Sequence, residues 1–242
     1  MLQGACQAVD TQPASSRGAP LLAPLWHTQA LVALMLLVAA TGTWVSAHEQ
    51  PVAPSAPAMW SVYLPLVTVN VGLSLYVCRL GLRRNIFALL FSRGRYDARR
   101  LLGDVGLAAA LALLLLSAEN GFQTLLGMPE STVAHALLPD TTSAKLAWFC
   151  VATLVGFSEE LVYRGYLQRQ LGALSGQVAF GIVAQALLFG IAHGEQGPWA
   201  VARFASYALV LGWVAAWRTS LVPSVLCHVA LDCYAAHATL GV

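Results

Sequence analysis

Polar side chains along this chain gather in clusters that separate long apolar runs. Mainly apolar stretches of 17 or more residues extend over about 30–47, 60–79, 102–118, 145–163, 177–193, 198–217 and 220–238. Each approaches the roughly 20 residues with which a helix crosses a bilayer. The runs are rich in Leu, Ala, Val and Gly and show no two-residue alternation, so they predict helices and exclude the lipid-facing strands of a barrel. The expected fold is all-α, a polytopic membrane helix bundle of about seven transmembrane helices. The stretch from Met1 to about Pro24 is polar, small and Pro-containing and reads as a disordered tail, 1–24. Val45-Ser46-Ala47 looks like a signal-peptidase site, but the tail before it is long for a signal peptide, so the first run is expected to stay as a span.

Composition narrows the class further. Only 10% of the residues are Asp, Glu, Lys or Arg, 58% are apolar and the formal charge is +2. A soluble domain could not cover its surface with so few charges, and disorder needs the opposite balance. A nucleic-acid partner would need a basic field that is missing here. Five cysteines (Cys6, Cys78, Cys150, Cys227, Cys233) form no CxxC pair and read as small buried hydrophobes.

The basic residues orient the spans. Arg79, Arg83, Arg84, Arg93, Arg95, Arg99 and Arg100 crowd the connection between the second and third runs, with Arg17 ahead of the first. Arg164 and Arg169 follow the fourth run and Arg218 follows the sixth. Threading the spans with the N-terminus inside puts all of these on the cytoplasmic side and leaves Lys145 outside, with Arg203 inside a span, a positive-inside pattern. The apolar but short Asn85–Phe91 segment, flanked by arginines, reads as an interfacial helix.

Ionisable groups inside apolar helices are costly and usually mark function or a tight pair. Here they are Glu159, Glu160, His193, Arg203, His228 and Asp232. Neighbours on a helix point about 100° apart, so Glu159 and Glu160 have different surroundings. Glu160 and Arg164, four apart, suit an ion pair, which leaves Glu159 free for chemistry; the plainer reading is that both acids merely cap a basic helix end. The Gly172–Gly176 stretch is the expected turn between the fourth and fifth spans. Glu159 lies 16 residues before Ser175 and His193 lies 18 after it, so an antiparallel hairpin sets the two within roughly 3 Å in depth. Phe189 shares the His193 face. His228 and Asp232 are four apart on the last span, where Asp232 could orient the imidazole or simply fix helix packing. Arg203 either snorkels to the interface or binds a carboxylate, such as a substrate terminus or Glu195. Together the groups are enough to activate a water.

Three stretches carry a resemblance: Glu159-Glu160-Leu-Val-Tyr163-Arg164-Gly165, Phe189-Gly-Ile-Ala-His193 and His228-Val-Ala-Leu-Asp232. They resemble the motifs of the CPBP intramembrane proteases, the CAAX-processing and bacteriocin-processing (Abi) family. The stretch from Gly212 to His228 is similar to the family's last helical hairpin, and the likeness covers about 145–235. It implies a four-helix catalytic core over 143–242, framed by N-terminal helices and a basic loop over 25–142. It also implies an intramembrane endopeptidase, multi-pass in a bacterial inner membrane, acting on a membrane-anchored protein or peptide near the cytoplasmic leaflet.

In that reading Glu159 is the base that deprotonates water, and Glu160 with Arg164 braces the helix, beside Tyr163 and Phe189. His193 and His228 complete the centre, and Asp232 orients His228 or binds the oxyanion. Many members carry Asn at that last position; an ionised Asp cannot donate a hydrogen bond, which favours orientation. Zinc held by His193, His228 and Glu159 and a metal-free site both stay open, the second favoured because no HExxH helix is present. Tyr163 and Arg164 are taken as the cytoplasmic boundary, one to two turns from Glu159. The competing readings are a non-catalytic immunity or scaffold protein of the same fold and a proton-coupled transporter, although no matched pair of broken helices marks the latter.

Overall fold

The computed structural model describes residues 21–48, 56–81, 97–127, 139 and 141–238. They form α1 (Leu25–His48), α2 (Ala56–Gly81), α3 (Ala98–Leu126), α4 (Thr142–Glu160), a π-helical segment Leu161–Leu167, α5 (Gln168–Ser175), α6 (Val178–Ala192), a 3-10 turn Gly194–Gln196, α7 (Pro198–Arg218) and α8 (Val222–Ala238). No strand occurs among the described residues. Most of the expected tail, the Asn85–Phe91 segment and the arginines at 83, 84, 93 and 95 lie outside them.

Leu25–His48, Ala98–Leu125, Thr142–Ser175 and Pro198–Arg218 are long and apolar enough to cross a membrane, and Tyr63–Arg79, Val178–Ala192 and Val222–Ala235 are shorter apolar helices. The chain is thus an all-helical, multi-pass bundle. Its outside is apolar in the way lipid requires: Leu102, Leu113 and Leu125 of α3 are 72%, 68% and 83% exposed, whereas water would drive such a row inward.

Helix ends follow local chemistry. Asp97 caps α3 by accepting from the Arg100 N–H at 2.8 Å, and Thr141 caps α4 by accepting from the Ala144 N–H at 3.2 Å, the usual use of such side chains. Gly176 ends α5 in the left-handed region, so the expected turn between the fourth and fifth spans is where the chain reverses.

One boundary differs from expectation. The fourth run was expected to end at the membrane surface near Tyr163 and Arg164, but the rod Thr142–Ser175 continues for 34 residues in all. Two polar residues of this continuation, Gln168 and Gln170, are internal cross-links. Gln170 Oε1 accepts from the Leu22 N–H at 2.7 Å, while its Nε2 donates to the Ala23 carbonyl at 2.7 Å. Gln168 Nε2 donates to the Gly212 carbonyl at 2.9 Å. Gln170 is paired at both amide atoms and Gln168 at its Nε2, so the helix runs on through the interior.

The rod packs on α6 most closely at Gly181, where a Cβ would lie 2.1 Å from the Gln168 carbonyl oxygen. A core of Val162, Tyr166, Leu167, Ala186 and Phe189 joins the rod to α6, and Leu31 and Val77 bring α1 and α2 into it. α1 runs the length of the bundle, from the Gln170 contacts at its start to Ser46 Oγ, which donates to the Glu195 carbonyl at 2.7 Å. Val45-Ser46-Ala47 is thus part of a packed helix.

Candidate active site

Close contact between α4 and α8 assembles the site. A Cβ at Gly156 would lie 3.1 Å from Val229 Cγ2 and 3.7 Å from His228 Cγ, so the absence of a side chain there lets the His228 backbone approach the Glu159–Glu160 turn. Trp148 Nε1 donates to the Asp232 carbonyl at 2.9 Å and ties the same helices together nearer the start of α4.

Glu160 is fully buried, and its Oε1 faces two cationic or donor groups at once: Arg164 Nη1 at 2.8 Å and His228 Nδ1 at 2.8 Å. With Nδ1–H committed to this carboxylate, the opposite edge of His228 faces Glu159 Oε2 at 3.6 Å and Asp232 Oδ2 at 3.7 Å. Both gaps exceed a direct hydrogen bond and suit a bridging water. The expected Glu160–Arg164 pair is present; the hydrogen bond to His228 comes from Glu160, whereas Asp232, expected to orient His228 or bind the oxyanion, lies on the other edge of the ring. The physical reason is reach: Glu160 projects from α4 across the Gly156 contact, whereas Asp232 shares a helix with His228.

His193 lies beside this cluster. Its Nδ1 bonds the Phe189 carbonyl at 2.8 Å, its ring stacks on Phe204 at 4.1 Å, and Phe189 stands edge-on to His228 with centroids 5.8 Å apart. No hydrogen bond or ion pair joins His193 to Glu159. Phe189 separates the imidazoles and also carries the Arg164 guanidinium 4.7 Å over its face and Tyr163 at 4.9 Å. Glu159, His193 and His228 do not converge as a zinc ligand set: among the described residues no three His, Cys, Asp or Glu side chains are placed to hold one ion.

A cavity of about 300 Å³ adjoins the cluster, lined by Arg164, Phe189, His228 and Asp232 on one side and by Glu119, Arg203 and Tyr207 on the other. Arg203 does bind a carboxylate, but it is Glu119 of α3, not Glu195. Tyr207 donates its hydroxyl to the second Glu119 oxygen at 2.7 Å. A matching pair, Arg218 Nε to Asp104 Oδ1 at 2.8 Å, joins the same two helices elsewhere. Neither acid was singled out from the sequence. The signal was present: Asp104 and Glu119 are 15 residues apart, as are Arg203 and Arg218, the register expected of two antiparallel helices.

Residues 141–234 match the family model described as Type II CAAX prenyl endopeptidase Rce1-like. The match covers less than half of the chain and shows what this segment is similar to. It coincides with the stretch whose motifs resemble the CPBP proteases, and it supports a membrane protease acting on a peptide or protein in a lipid environment. No curated protein and no solved structure matches the chain. The matched segment contains Glu159, Glu160, His193, His228 and Asp232, whereas Asp104 and Glu119 come from α3, ahead of it.

Proposed function

We propose that the chain is an intramembrane endopeptidase of a bacterial plasma membrane, with its N-terminus cytoplasmic, that hydrolyses a peptide bond of a membrane-anchored protein or peptide. The 143–242 segment carries the chemistry, and the helices of 25–142 wall the cavity. The observation that carries the reading is the His228 edge facing two carboxylates at 3.6 and 3.7 Å beside a cavity of about 300 Å³. A water there touches Glu159, Asp232 and His228 Nε2 together.

Glu159 takes a proton from this water as the oxygen attacks the scissile carbonyl. The C=O electron pair moves onto oxygen. His228, held at Nδ1 by Glu160 and protonated at Nε2, donates to that oxyanion. The proton held by Glu159 then passes to the amide nitrogen as the C–N bond breaks, leaving an acid and an amine. His193 bonds the Phe189 carbonyl through Nδ1, so its Nε2 is an acceptor and positions the substrate N–H. Glu160 is a positioning residue, and Arg164 balances its charge. A helical substrate must unwind to expose its carbonyl, and a polar cavity within the bundle permits that.

The test is cleavage in proteoliposomes, using proteins captured on a Glu159→Gln variant as substrates. Glu159→Ala and His193→Ala are expected to abolish cleavage while inserting and accumulating normally; wild-type turnover in either overturns the assignment. The second reading, a non-catalytic immunity or scaffold protein, predicts capture without turnover by the native chain.

A further inference from the structure

The ends of the bundle differ in charge, and the cavity lies at one of them. The pairs Asp104–Arg218 and Glu119–Arg203 both join α3 to α7, and 15 residues separate them in each helix, about 22 Å along the axis. From Ala98 to Glu119 α3 rises about 31 Å, close to the roughly 30 Å of a bilayer's hydrocarbon core. A helix that sets Arg99 and Arg100 at one interface therefore sets Glu119 at the other.

The cavity is at the Glu119 end, where its rim includes Asn120, Gln123 and Tyr234. His193, closing α6, and the start of α7 lie at that end too, well away from the Gly176 turn. The opposite end holds Arg100, whose Nη2 donates to the Arg218 carbonyl at 2.8 Å, together with Arg79 at the end of α2, Arg99 at the start of α3 and Arg169 in α5. The residues leading into α1 lie there as well, bonded to Gln170 through the Leu22 N–H at 2.7 Å. Among the described residues, Lys145 and Arg203 are the Lys and Arg of the cavity end, the second neutralised by Glu119.

Arginine-rich short connections stay in the cytoplasm, so the charge pattern and a site in the cytoplasmic leaflet are incompatible in this fold. We infer that the cavity opens toward the non-cytoplasmic face. Its substrates are then membrane proteins or peptides cut in a segment next to the outer leaflet, and a lipid-modified cytoplasmic C-terminus is on the wrong side. The substrate class rests on the peptidase reading above; the orientation rests on charge and helix register alone.

Cysteine labelling of the full-length protein tests this. In a background with Cys6, Cys78, Cys150, Cys227 and Cys233 replaced, Asn120→Cys and Gln123→Cys probe the rim and Ala98→Cys probes the basic end. A membrane-impermeant maleimide is expected to label both rim variants in right-side-out vesicles and not in inverted ones, with Ala98→Cys showing the reverse. Rim labelling confined to inverted vesicles, or from neither side, overturns the inference. Cleavage by a protein whose rim faces the cytoplasm would refute the orientation and keep the peptidase; an outward rim on an inactive protein would do the opposite.

Discussion

Replacing each of two adjacent glutamates by glutamine should damage different properties of the protein. Glu160 is fully buried, and one of its oxygens meets both Arg164 and His228 at 2.8 Å. Glu160→Gln removes the counter-charge of a guanidinium that is itself fully buried. Breaking a buried pair by neutralising one partner costs about 3–5 kcal/mol, on the order of 10 °C in Tm for a chain of this size. Glu159 is 17% exposed and approaches His228 no closer than 3.6 Å, so an isosteric amide there should change stability by less than about 0.5 kcal/mol. It removes the proposed base, however, which should lower kcat about 10²–10⁴-fold. Thermal unfolding in detergent, followed by size exclusion of a fluorescent fusion, reads the first property, and cleavage in proteoliposomes reads the second. A Glu160→Gln protein as stable as wild type, or a Glu159→Gln protein that cleaves normally, would refute the division of labour.

Three further outcomes follow from particular contacts. Gly156→Val should separate α4 from α8, because even a Cβ there lies 3.1 Å from Val229 Cγ2; cleavage should fall with accumulation largely kept, and Gly156→Ala should lie between the two in the same assay. Asp232→Asn keeps a group that can hold water beside His228 and should retain more activity than Asp232→Ala, measured as kcat. Burial of Glu195, in the turn between α6 and α7, pushes its carboxyl above the usual range, partly opposed by a hydrogen bond from Gln196. Its folded form therefore resists ionisation: its contribution is fully present below the ordinary carboxylate range and is lost as pH rises through the raised value. Glu195→Gln should stabilise the protein at alkaline pH and have no such effect in acid, as seen in Tm against pH.

The helical architecture was legible because apolar runs long enough for a bilayer admit little else. The Glu160–Arg164 pair and the Gly176 reversal were equally visible, one from four-residue spacing and the other from turn chemistry. The full length of the fourth helix was not, because the backbone partners of Gln168 and Gln170 lie on α7 and ahead of α1, where local pattern is silent. The contact of Glu160 with His228 was hidden for a related reason. Local spacing favours partners on one helix, such as Asp232 with His228, and is silent about a contact between helices that depends on how closely Gly156 lets them approach. Equal depth from the turn brought His193 near the cluster, but depth says nothing of azimuth, and Phe189 fills the space between the rings.

The π-helical segment Leu161–Leu167 separates two stretches of ordinary helix, and its wider winding makes it an angular clutch. Above it, α4 keeps the rotation that aims its acids at α8; below it, α5 keeps the rotation that seats Gln168 against Gly181 and Gln170 against the chain entering α1. A uniform α-helix would impose one phase on both halves. Rewinding the same seven residues as α-helix would swing one half against the other by roughly the 100° of one residue, so the winding between the acids and the glutamines is as much part of this machine as the side chains themselves.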